Sequence, residues 1–226
     1  SERGGLLRLV RNASGADGKP ATLDPQSVAG VPLLEPAYRN GGVYLVIGGA
    51  GGIGAVWSRH VISHHRARVI WIGRRSPDQQ LKAKLDELTA VSLRHNAPAP
   101  VYFQADAANE QQLAEVRRHI IERFGEINGV VHSAIVLKDQ SLANMDEQTF
   151  TRVLNAKVAT SVALARAFEP SAASLDFVLF FSSMMSFSTA AGQSNYAAGC
   201  TFADAFADRL RADWPCPVKV INWGYW

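Results

Sequence analysis

From position 41 onward the chain alternates between two hydrophobic periods. Short runs rich in β-branched and aromatic residues, at 43–47, 68–72, 101–104, 129–132, 177–181 and 218–222, read as strands, most of them apolar on both faces. Between them the apolar positions recur at helical spacing, over about 53–65, 78–95, 109–124, 146–168 and 195–213. Regular alternation without an internal repeat predicts a doubly wound α/β fold. Its sheet is parallel with helices on both faces, its strand order is 3-2-1-4-5-6, and a ligand sits at the carboxyl edge.

Residues 1–40 lack this pattern. Gly-, Pro- and Ser-rich text around Ser14-Gly15-Ala16-Asp17-Gly18-Lys19-Pro20 reads as a linker, or as the remnant of a preceding structural subdomain. The catalytic unit is expected over 41–226. The text stops at Asn222-Trp223-Gly224-Tyr225-Trp226, just past the sixth strand, so a domain lacking its C-terminal end, or completed by another segment, is expected.

Composition narrows the function classes. At 226 residues with 47% apolar and 19% charged side chains, the chain suits one sizeable globular domain. No apolar run is long enough for a membrane span and nothing resembles a signal peptide. The net charge of +3 comes from scattered arginines, which gives no nucleic-acid footprint but suits an anionic ligand. Cys200 and Cys216 form no metal-type pair, so a reduced, cytoplasmic chain without a metal is expected.

The first strand runs into Gly48-Gly49-Ala50-Gly51-Gly52-Ile53-Gly54, and a helix follows. Glycines at a strand-to-helix turn let the backbone approach a pyrophosphate, and the helix N-terminus supplies unpaired N–H groups, as in a Rossmann dinucleotide site. The second strand leads into Arg74-Arg75. NAD sites place a carboxylate there, whereas arginines pair with a 2′-phosphate, so the cofactor expected is NADPH. Asp106, past the third strand, is either an adenine contact or a helix N-cap.

Ser182-Ser183 close the fifth strand and Tyr196 opens the next helix. A reductase delivering hydride to a ketone must also protonate the alkoxide, and tyrosine, with a reference pKa of about 10, is a weak acid for that task. A nearby ammonium favours the phenolate, and a serine hydroxyl can hold the carbonyl. One turn after Tyr196, where many short-chain reductases carry that lysine, this chain has Cys200. Of its six lysines, Lys157 falls on an inward stripe with Phe150, Val153, Leu154, Val158 and Ser161. Its head either reaches water by snorkelling or serves the site.

A lysine on the earlier helix, with the tyrosine after a Ser-Ser strand end, resembles the ketoreductase domains of modular polyketide synthases. The resemblance runs from Gly41 to Trp226. It rests on the glycine loop, Phe181-Ser182-Ser183, Gly192-Gln193-Ser194-Asn195-Tyr196-Ala197-Ala198 and Asn222-Trp223-Gly224. Gly199-Cys200-Thr201-Phe202 and Tyr225-Trp226 are similar to synthases whose acyltransferase acts in trans.

The resemblance implies Lys157, Ser183 and Tyr196 as the lysine, serine and tyrosine of the site, with Cys200 where an asparagine is usual and Ile47 where a threonine is usual. Lys157 and Tyr196 would also contact the cofactor. Asp139 matches the marker of B-type reduction, which gives a D-hydroxyl; Ser188 stands where the A-type tryptophan would be. Gln193 joins Asp139 as a substrate and stereocontrol residue, and Ala198 argues against epimerisation. The implied partners are an acyl carrier protein with its phosphopantetheine-linked β-ketoacyl chain and neighbouring synthase domains. Two alternatives stand beside this reading: a silent ketoreductase-like scaffold, and a free-standing short-chain dehydrogenase.

Overall fold

The computed structural model describes residues 37–188 and 190–224. It contains six strands: β1 (Val43–Ile47), β2 (Arg68–Gly73), β3 (Val101–Gln104), β4 (Gly129–His132), β5 (Phe177–Ser183) and β6 (Val218–Trp223). They form one parallel sheet in the order β3-β2-β1-β4-β5-β6, the order expected of a doubly wound Rossmann fold. Strands β1, β4 and β5 are buried along their whole length, which is why they read as unbroken apolar runs.

Alternate residues of β1 feed two cores. Val43, Leu45 and Ile47 face helices α3 (Glu110–Phe124), α5 (Val158–Phe168) and α6 (Ser194–Asp213). Tyr44 and Val46 face α1 (Gly52–His65) and α2 (Gln79–Arg94). The carbonyl ends of β1 and β4 meet at the point where strand order reverses, and the crevice there is the ligand site of such folds. No helix among the described residues is long and apolar enough to cross a membrane.

The helix expected over 146–168 is two helices. α4 (Glu147–Asn155) ends as Ala156 N–H and Lys157 N–H bond back three residues, to Val153 O (3.2 Å) and Leu154 O (3.0 Å). The tightened turn breaks the helix, and α5 restarts with Ser161 N–H on Lys157 O at 2.9 Å. Lys157 therefore sits at the joint rather than mid-helix. The expected segment 1–40 lies mostly outside the described residues, but its last residues pack on the domain. Arg39 N–H donates to Tyr44 Oη at 2.7 Å, Arg39 pairs with Asp176 at 2.5 Å, and the Tyr38 ring meets Tyr44, Trp57 and Phe177 edge-on.

At the end of β1, Gly48 has φ +76°, and a Cβ there would lie 2.8 Å from the Ala134 Cα. Gly48→Ala is therefore expected to cost about 1–3 kcal/mol. Thermal unfolding should show it as a fall of about 2–4 °C per kcal/mol. A Tm equal to wild type would contradict the strained turn.

Candidate active site

The crevice is a groove of about 760 Å³ whose wall runs from Gly48, Ala50 and Gly51 past Arg74, Arg75 and Asp106 to Asn155, Ala156 and Thr160. Gly51 caps α1 without a side-chain hydrogen bond, and the first turn of α1 carries no acidic residue. An uncapped N-terminus beside a roomy groove is a donor set suited to a pyrophosphate, so the residues fit a dinucleotide. Of the other glycine-loop residues, Gly49 and Gly54 are buried, and Gly52, Ile53 and Gly54 form the start of α1; none of them is in the groove wall.

Arg74 and Arg75 are exposed at the groove's outer end. Arg75 Nε lies 3.3 Å from Asp78 Oδ2, and Arg75 Nη1 donates to Gln80 Oε1 at 3.1 Å. The backbone of this turn is fixed from β3: Tyr102 Oη lies 2.8 Å from Gly73 O and 2.6 Å from Arg75 O, and Gln104 Nε2 donates to Arg74 O at 3.3 Å. Asp106 is not the cap of α3, a place taken by Asn109, which accepts from Gln112 N–H. Asp106 Oδ1 instead accepts from Ala108 N–H at 3.0 Å, within the groove wall.

The second cluster stands at the carboxyl end of β5. Ser183 ends that strand, Tyr196 lies in the first turn of α6, and Cys200 lies one turn later. Tyr196 and Cys200 pack in one buried cluster, and Ser183, whose Oγ lies 3.4 Å from Trp223 O, and Cys200 both act on the phenol. Lys157 is 3% exposed, so its head does not snorkel to water, and its Nζ donates to Phe181 O at 2.5 Å. Its stem passes Gly199, where a Cβ would lie 3.2 Å from Lys157 Cβ. Ala156, Asn155 and Thr160, around Lys157 in sequence, face the groove, which brings the two clusters together.

Burial governs the electrostatics of the cluster. Burial pushes the Tyr196 phenol above its usual range, Cys200 adds to the rise and Ser183 opposes it. The Lys157 ammonium is turned to the Phe181 carbonyl of β5. Burial lowers the Lys157 pKa to about 8, while Cys200 and Asp204 pull it back up. Burial raises the Cys200 thiol, and the charge of Lys157 lowers it. Cys200 is thus coupled to both phenol and ammonium.

The loops after β4 and before α6 are tied together. Gln193 Nε2 donates to Asp139 Oδ2 at 2.7 Å, Gln140 N–H to Gly192 O at 2.9 Å, and Asn195 Nδ2 to Lys138 O at 3.2 Å. Asp139 and Gln193, 54 residues apart, are therefore direct partners.

Three side chains of the cluster were not called from the sequence. Asp204 lies two turns after Tyr196, and its Oδ2 accepts from Asn222 Nδ2 at 2.7 Å. Asn222 Nδ2 also lies 3.2 Å from Ser183 O and 2.9 Å from Ser186 Oγ, which links the carboxylate to the end of β5. The helical spacing 196, 200, 204 was the available signal for Asp204. His132 ends β4 fully buried; burial, then the charge of Lys157, lowers its pKa to about 3 and keeps it neutral. Its strand-end position was its only signal.

A nucleotide-sized crevice with a Ser-Tyr-Lys group at its edge, on this strand order, defines an oxidoreductase of the short-chain dehydrogenase type. The sequence model of the KR domain matches residues 42–226, and the chain belongs to that ketoreductase family. It is 53% identical over 195 residues to the polyketide synthase PksN of Bacillus subtilis and 50% identical over 194 residues to ThaG of Burkholderia thailandensis. Each match covers 85% of this chain but 3% of the relative's length. The crystal structure of a ketoreductase domain from the bacillaene assembly line matches with TM-score 0.76 and 30% identity, over 87% of this chain and 47% of that one. An N-terminal ketoreductase from the macrolactin assembly line matches with TM-score 0.77 and 30% identity, over 84% and 38%.

The buried ammonium sets a pH dependence. Lys157 is charged below about 8 and neutral above, so turnover that needs its charge falls as pH rises through that value. Asp204→Asn removes an influence that raises the Lys157 pKa, and the basic limb of kcat/KM against pH should move downward. A limb that stays in place would contradict a role for Asp204.

Proposed function

We propose that the domain reduces a β-ketoacyl thioester, presented on the phosphopantetheine arm of an acyl carrier protein, to the D-β-hydroxyacyl thioester with NADPH. The observation that carries the reading is the gathering of Ser183, Tyr196 and Cys200 at the carboxyl end of β5, with the buried Lys157 on the Phe181 carbonyl of the same strand. The glycine loop and the N-terminus of α1 would hold NADPH, with Arg74 and Arg75 for its 2′-phosphate, and the bound cofactor would supply the hydride for the β-carbon.

The side chains handle the oxygen. Ser183 donates a hydrogen bond to the substrate carbonyl and polarises it. Tyr196 passes its phenolic proton to the alkoxide as the β-carbon becomes tetrahedral, leaving a hydroxyl on the product. The phenolate left behind is next to Cys200, a thiol that lies under the Lys157 charge, and it regains its proton from solvent. Lys157 is coupled to Cys200, which stands where the usual arrangement has an asparagine. Asp139, held by Gln193 at the rim, supports the D outcome, and Ala198 supports reduction without epimerisation of an α-substituent.

A second reading, a silent scaffold, draws on the raised Tyr196 pKa and the turn of Lys157 to Phe181 O. One comparison separates them: NADPH consumption with a 3-oxoacyl thioester by wild type and by Tyr196→Phe. Reduction should proceed in wild type and fall by about 100-fold or more in the variant. Equal inertness with cofactor still bound would establish the scaffold. Chiral chromatography of the product should give the D-hydroxyl, and Asp139→Ala should erode that selectivity; an L product would overturn the role of Asp139.

A further inference from the structure

Helix α2 carries a charge on its buried side. Leu81 and Leu88 are buried, Leu85 is partly buried, and Lys84 falls on the same stripe at helical spacing. Lys82, two positions earlier, is exposed, whereas Lys84 is partly buried. Its ammonium is fixed: Nζ donates to Ala50 O, inside the glycine loop, at 2.7 Å. Lys84 also lines the groove, as do Arg74, Arg75 and Gln80. Among the described residues it forms no salt bridge, while Arg75 is shared with Asp78 at 3.3 Å. A lysine has three donors, and the bond to Ala50 O uses one.

We infer that Lys84 is a specificity residue for the cofactor, the third cation of a clamp that takes a phosphate monoester on the adenosine ribose. The inference rests on the NADPH reading above. Arg74 and Arg75 reach the site from the end of β2, and Lys84 closes it from α2, anchored to the loop that receives the pyrophosphate. Because Arg75 is already paired with a carboxylate, Lys84 supplies a positive charge that no carboxylate neutralises among the described residues. A charge-assisted bond to phosphate is a strong contact in a half-buried groove.

The test is calorimetric binding of NADP⁺, NAD⁺ and adenosine 2′,5′-bisphosphate to wild type, Lys84→Met, Lys84→Arg and the double variant Arg74→Ala/Arg75→Ala. Lys84→Met keeps an apolar stem for packing and removes the charge. Its affinity for NADP⁺ and for the bisphosphate should fall about ten-fold, with NAD⁺ affinity within about two-fold of wild type, and Lys84→Arg should recover most of the loss. Equal losses for NADP⁺ and NAD⁺ would make Lys84 a loop tether and overturn the inference. Unchanged NADP⁺ affinity would overturn it too, and if the double arginine variant still lost discrimination, the NADPH reading would stand without Lys84. A wild type that binds NAD⁺ as tightly as NADP⁺ would overturn both.

Discussion

The buried ammonium of Lys157 is the constraint around which the carboxyl end of β5 is arranged. A lysine withdrawn from water is stable only where dipoles and charges replace its hydration. Here the replacement is one carbonyl of β5, at 2.5 Å from Nζ, with the Asp204 carboxylate acting through space. The position of the lysine in turn requires the broken helix between α4 and α5, which puts it at a joint, and Gly199, whose lack of a side chain leaves room for its stem. Cys200 fits the same requirement. A thiol is small and neutral when buried, so it can pack beside the phenol without bringing a second charge.

Cofactor recognition obeys a different logic. The glycine loop and the uncapped N-terminus of α1 present backbone, which is indifferent to which nicotinamide cofactor is bound. In the proposed complex discrimination is left to the side chains of Arg74, Arg75 and Lys84, and those are held from two neighbours. β3 fixes the backbone under Arg74 and Arg75, and α2 brings Lys84 to the loop. Binding and selectivity thus come from separate elements of one sheet edge.

The fold was almost wholly legible in the sequence, because strands buried on both faces leave apolar runs and the order follows from the crossover rule. The 146–168 helix was the exception: both halves share one stripe, and a break made by two backbone bonds leaves no apolar signature. At the site, Tyr196, Ser183, Cys200 and Lys157 were readable as residue types at spacings that chemistry demands. Their mutual orientation was not, and so the turn of Lys157 toward Phe181 O was unforeseen. Asp204 and Lys84 both sat on readable helical stripes. They were passed over because a charge on a mostly buried face carries meaning only once the neighbouring loop or strand is in place.

The Tyr38 and Arg39 contacts bear on how such domains can be cut and exchanged. The family's matched segment begins at residue 42, yet the surface of Tyr44, Trp57 and Phe177 is sealed by a ring that precedes it. A seam placed at Gly41 would leave that aromatic seal with the donor and uncover a hydrophobic patch on the transplanted unit. The portable module, in a chimeric assembly, begins with its seal, upstream of Tyr38.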